Sequence, residues 1–186
     1  MNNSQRIKTL QESEKNVFSA RNLRQLWKID QKWFGTTVKR MVDNGILTRI
    51  GRGYYLFGKD LNPLQLANTI IEPSYVSLDS ALRHFNVNFQ VSQTIDSVAS
   101  ISYKTEMAGY VFQYHKIKDS ILFDLRGVKR DSGISVASPE RAILDGFYYG
   151  LLLNIDRPQK INKTYLDELS KIYPDFVQEK AKAFAR

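Results

Sequence analysis

Residues 19–57 read SARNLRQLWKIDQKWFGTTVKRMVDNGILTRIGRGYYLF, and their order decides the N-terminal architecture. Ser19 can cap a helix whose inner face is Leu23, Leu26 and Trp27, with Phe18 as an apolar staple before it. A short break at Lys28-Ile29 follows, and Asp30 offers the N-cap of a second helix, Gln31–Asp43. Within that helix Phe34, Val38, Met41 and Val42 fall on one side at helical spacing. Asn44-Gly45 stops it, because glycine accepts the left-handed backbone just past a helix end. Two β-prone runs, Ile46–Ile50 and Tyr54–Phe57, then flank Gly51-Arg52-Gly53, the pattern of a hairpin. Helix, short turn, helix, glycine stop and hairpin is the order of a winged helix-turn-helix, preceded here by a polar helix over residues 4–15.

Seating the second helix by its apolar back turns Gln31, Lys32, Thr36, Thr37, Lys39 and Arg40 outward. Gln and Arg carry donor patterns that match base edges, while Lys and Thr more often hold phosphates. Arg52 at the hairpin tip and Arg49 at its base complete a DNA-binding set, the tip being suited to a minor groove or the backbone. Trp33 has two readings: core beneath the helix first, a contact to sugar or base second.

The distribution of charge agrees with this assignment. The chain of 186 residues carries a formal +8, and residues 1–60 hold 12 Lys/Arg against 5 Asp/Glu, whereas residues 61–137 are balanced at 7 against 7. A local anionic partner is implied, with nucleic acid ahead of a membrane surface. The absence of cysteine excludes disulfides, thiolate metal sites and cysteine nucleophiles. No apolar run is long enough to span a bilayer and the start lacks a signal-peptide core, so the expected setting is cytoplasmic, away from membranes.

A boundary falls near Gly58–Pro63, giving a DNA-binding unit over 1–58 and an α+β unit over 59–186. Pro63 suits the first turn of a helix running to Ile71, and Ser77 is read as the N-cap of another. Strands are expected at 94–103, 109–117, 122–125 and 134–137. Ser138-Pro139-Glu140 is a strong helix start, and residues 163–186 read as two helices broken at Tyr173-Pro174. Tyr110, Phe112 and Tyr114 share one strand face, which is read as core or, if exposed, as a platform for RNA bases. The expected fold class is α+β: an N-terminal winged helix-turn-helix followed by a mixed α+β C-terminal domain.

Catalytic chemistry finds little footing. His84 sits at a helix end and His115 in a strand, neither with a ligand-spaced partner. Asp79 with Asp96, or Asp124 with Asp131, could hold magnesium, but capping and turn roles explain Asp79 and Asp131 more economically. No phosphate-cradling glycine loop and no nucleophile elbow is present. The expectation is a protein that is not an enzyme, with no catalytic residue, metal or cofactor.

Four motifs in series, GRGYYL (51–56), YVSLDSAL (75–82), GYVFQY (109–114) and SPERAILD (138–145), resemble the AbiEi antitoxins of bacterial type IV, or abortive-infection, toxin–antitoxin systems. The resemblance implies an N-terminal domain that represses its own operon at inverted repeats in promoter DNA. It also implies a C-terminal domain that neutralises a nucleotidyltransferase-like toxin without a stable complex. By the same resemblance Gln31, Lys32, Thr36, Thr37 and Arg40 lie on the recognition helix, with Arg49 and Arg52 on the wing. The competing reading is a solitary winged-helix regulator, or a binding module whose C-terminal domain holds a protein or RNA partner.

Overall fold

A computed structural model of the chain, which describes residues 1–185, shows a mixed α+β fold built on two sheets. The first 57 residues run α1 (Asn3–Gln11), β1 (Val17–Ser19), α2 (Ala20–Trp27), α3 (Gln31–Asp43), β2 (Leu47–Gly51) and β3 (Tyr54–Phe57). The strands form a sheet in the order β1-β3-β2, antiparallel throughout. The helix expected over 4–15 ends at Gln11, and Phe18, expected as a staple before α2, belongs to the strand β1. Local chemistry sets the helix starts. Ser19 and Asn22 form a reciprocal capping box, and the Asp30 carboxylate accepts from the Lys32 N–H at 3.1 Å. Gly45 follows the C-cap of α3 with φ +68°, a conformation that glycine takes without steric cost.

The remainder runs α4 (Pro63–Ile70), β4 (Ser74–Val76), α5 (Leu78–His84), β5 (Thr94–Ala99), β6 (Tyr103–Met107) and β7 (Tyr110–Lys116). It continues with α6 (Asp119–Leu122), β8 (Val128–Asp131), β9 (Ile134–Ala137), α7 (Pro139–Tyr149), α8 (Lys163–Ser170) and α9 (Asp175–Ala185). Six strands join in the order β6-β7-β5-β4-β9-β8, with parallel pairing at β5–β7 and β4–β9 and antiparallel pairing elsewhere. Strand alternation divides the sheet into two faces. Tyr114 turns its hydroxyl to the Ala67 carbonyl of α4, while Tyr75 and His115 face α7 through Asp145 and Tyr149. The helices α7, α8 and α9 pack together on the α7 side.

Three expectations fail here. The strand expected over 94–103 stops at Ala99, and Tyr103 begins the separate strand β6. Residues 122–125 are not a strand: α6 ends at Leu122, and Phe123 and Leu125 are exposed. Ser77 occupies the N-cap position of α5 without capping it, because its hydroxyl is drawn to the buried Asp145 at 2.6 Å. Phe112 and Tyr114 are fully buried, so the aromatic face of β7 is core and offers no platform for RNA.

Two apolar clusters organise the chain. One gathers Leu10, Phe18, Leu23, Trp27, Val38, Met41, Leu47 and Tyr55, and the larger one fills the remainder. Val17 and Leu56, on paired positions of β1 and β3, belong to the larger cluster. The small sheet is therefore apolar on both faces, and α4 contacts β1 as well as β4, β5 and β9. Gln65 of α4 reinforces this junction. Its Oε1 accepts from the Asn16 and Val17 amides at 2.9 and 2.8 Å, and its Nε2 donates to the Ser132 carbonyl at 2.9 Å. Among the described residues no helix is long and apolar enough to cross a membrane.

Candidate nucleic-acid interface

The inward face of α3 is fixed by burial: Val38 and Met41 are enclosed, and Phe34 and Val42 pack against the same cluster. The opposite face then has to be solvent-facing. Gln31, Lys32, Thr36, Lys39 and Arg40 are exposed, and Thr37 is half-buried at the edge of the stripe. Trp33 is 60% exposed, so the preferred reading of it as core is wrong. Phe34, one residue on, takes the inward position instead.

The β2–β3 hairpin lies against this helix. Arg49 pairs across to Tyr55, a bulge intervenes before Gly51, and Gly53 turns the tip at φ +80°. The Arg49 Nε–H reaches the Gly51 carbonyl at 3.4 Å, and Arg52 stands exposed at the tip. The hairpin is held on two sides. Ala20 N–H donates to the Gly53 carbonyl at 2.7 Å, and a Cβ on Gly51 would fall 2.7 Å from Met107 Sδ. Gly35, Val38, Lys39, Val42, Asp43, Arg49 and Tyr55 line an open notch of about 400 Å³ between α3 and the hairpin. The basic residues of the two elements thus share one surface. Among the described residues, none of Lys32, Lys39, Arg40, Arg49 and Arg52 makes an ion pair within the chain.

A second polar cluster lies at the centre of the larger unit, where two of the sequence motifs meet. Arg141 and Asp145 of α7 have no exposed surface. Asp145 accepts hydroxyl bonds from Ser77 (2.6 Å), Tyr173 (2.7 Å) and Tyr75 (3.2 Å). Arg141 donates to the carbonyls of Ile121 (2.7 Å), Asp124 (3.0 Å) and Arg126 (2.7 Å), and to the Tyr75 hydroxyl (3.3 Å). Burial pushes the Asp145 carboxyl up, against the Arg141 charge and the three hydroxyls. Burial also raises the Tyr75 and Tyr173 phenols, with Asp145 adding to the effect. For Arg141, burial works against the charge, but Tyr173, Tyr75 and Asp145 outweigh it and the net shift is upward. With no access to solvent, this network holds the end of α6, the loop that follows it and the sheet to α7.

The other titratable groups are dispersed. His115 Nε2 lies 3.1 Å from Asp96 Oδ1 and its ring lies tilted against Tyr149, with centroids 5.3 Å apart. Asp79 accepts from Asn88 and from the Asn154 amide, Asp124 is clamped by Arg126, and Asp131 accepts from Ser132. The acids paired in the sequence reading are therefore each engaged elsewhere, and no group of three metal-ligating side chains occurs among the described residues. His84 stacks edge-on against Phe85, and burial with the nearby Lys129 charge lowers its pKa.

No family model and no curated protein matches the chain. Among solved structures, the fold is similar to that of the RV2827C protein from Mycobacterium tuberculosis, with a TM-score of 0.54 and 14% identity over 98% of this chain and 75% of that one.

Proposed function

We propose that residues 1–58 are a winged helix-turn-helix that binds duplex DNA by sequence, with α3 as the recognition helix and β2–β3 as the wing. One observation carries the reading: an exposed basic face on α3 adjoins an exposed Arg-tipped hairpin, and among the described residues those charges have no ion-pair partner. Unpaired surface cations along a helix are the electrostatic footprint expected of a phosphate-binding face. In this reading Gln31 and Arg40 address base edges, Lys32, Thr36, Thr37 and Lys39 hold phosphates, and Arg49 and Arg52 contact the backbone or minor groove. The protein acts in the cytoplasm as a repressor of its own operon at inverted repeats, and as the AbiEi-like antitoxin of a nucleotidyltransferase-like toxin. It is a binding protein and not an enzyme.

The test is affinity for the DNA upstream of its own gene, set against an unrelated duplex across a range of salt concentrations. Tight binding to the upstream duplex is expected, with the discrimination persisting as salt rises. Arg40→Ala and Arg52→Ala should each weaken that binding by about 1–3 kcal/mol if the side chain reads a base. Equal affinity for both duplexes removes the repressor reading. The antitoxin half is tested separately, by co-expression with the toxin-like product of a neighbouring frame: restored growth supports it and continued arrest removes it.

A further inference from the structure

Folding gives no account of Trp33. The chain has two tryptophans, and folding treats them oppositely: Trp27 is 2% exposed in the core and Trp33 is 60% exposed. An indole in water is a large apolar surface with no packing role, which points to a partner. Its position names the partner. Residues at i, i+3, i+4 and i+7 share one side of a helix, so Trp33 stands in line with Thr36, Thr37 and Arg40. That line runs along the face assigned to DNA. Lys32 Nζ lies 5.3 Å from the ring centre, so a cation for a phosphate and a flat apolar surface sit side by side.

We infer that Trp33 is a DNA-contacting residue whose indole closes on the deoxyribose and base edge in the groove that α3 enters, with Nε1–H a donor to a phosphate oxygen. This rests on the reading of α3 as the recognition helix. Lys32 leaves the ring for the adjacent phosphate as the indole is covered.

The experiment uses the full chain, the duplex upstream of its gene and acrylamide as a quencher of tryptophan fluorescence. Trp27 is closed to the quencher, so the quenchable emission reports Trp33. Bound duplex is expected to shield that emission. Trp33→Ala is expected to weaken binding by about tenfold or more, and Trp33→Phe by less. Neither change should move the urea midpoint, because the side chain is outside the core. Duplex bound with quenching unchanged, or Trp33→Ala at wild-type affinity, overturns the inference and leaves the α3 reading intact. Failure of the wild-type chain to bind any duplex overturns the α3 reading, and this inference with it.

Discussion

Arg141 shows what a single side chain does when no part of it reaches water. Its guanidinium spans the Ile121 carbonyl of α6, the Asp124 and Arg126 carbonyls of the loop between α6 and β8, and the Tyr75 hydroxyl, a fan of donors that only a planar fork can supply. Tyr75 relays it to Asp145, so the charges offset each other through a shared hydroxyl. Truncation by Arg141→Ala would leave three carbonyls without their donor and the buried Asp145 carboxyl without its countercharge. The expected loss is about 3–5 kcal/mol of unfolding free energy, read by urea titration. Arg141→Lys should recover only part of it, since an ammonium cannot reach all four acceptors. The DNA affinity of the folded fraction should be unchanged in both, because the network is enclosed; a change would mean that it communicates with α3. The residues of this cluster were visible in the sequence as two motifs, but their meeting was not. Ser77 had every local mark of an N-cap, and the competing acceptor lies 68 positions away in Asp145. Local chemistry proposed the cheaper bond and tertiary structure supplied the stronger one.

At the level of elements, those with local punctuation were legible and those made by partners were not. The helix α3 announces itself through Asp30, its apolar period and Gly45, and the hairpin through its glycines. By contrast β1 is three residues long and exists because β3 pairs with it across an intervening helix pair, a non-local cause that no window of sequence contains. The strand β8 (VKRD) is a charged edge strand, half-buried only at Val128, so it lacks the alternation by which strands are recognised. Trp33 and Phe34 stand about 100° apart on the helix, so the stripe that holds Val38 and Met41 takes in Phe34 and leaves Trp33 outside, and composition does not say on which side of an aromatic pair a stripe ends. The Asp30 cap lets stability be separated from the DNA recognition proposed for α3. Asp30→Ala removes the acceptor for the Lys32 amide and should cost about 1 kcal/mol of stability. Asp30→Asn keeps the cap and removes a negative charge beside the basic face, so stability should stay within a few tenths of a kcal/mol of wild type. Affinity for duplex should rise at low salt with Asn. Paired thermal melts and binding isotherms check both halves; equal stability of the two variants would show that the cap is idle.

Across the whole molecule, the question is whether the basic unit and the rest fold as one body. Charge and the Gly58–Pro63 boundary divide the chain, yet its packing joins it. Val17 and Leu56 lie in the larger core, and Gln65 ties β1 to both α4 and the Ser132 carbonyl. Nothing in the sequence marks Gln65, which looks like a helix surface residue and is 4% exposed. A polar side chain so enclosed is tolerated because it satisfies the Asn16 and Val17 amides and the Ser132 carbonyl at once. Both tryptophans lie in the first 60 residues, so fluorescence follows that unit while far-ultraviolet circular dichroism follows the whole chain. In the wild type the two signals should therefore give one urea transition. Gln65→Ala strands the Asn16 and Val17 amides at a buried seam and should lower stability by about 2 kcal/mol. Because the loss falls on the junction, the fluorescence transition should then precede the circular dichroism transition. Coincident transitions at an unchanged midpoint would mean that the apolar contacts of Val17 and Leu56 alone join the units. Separate transitions already in the wild type would mean that the two units unfold independently. The orientation of the proposed DNA face relative to the larger unit would then rest on the connection near Gly58 and not on packing.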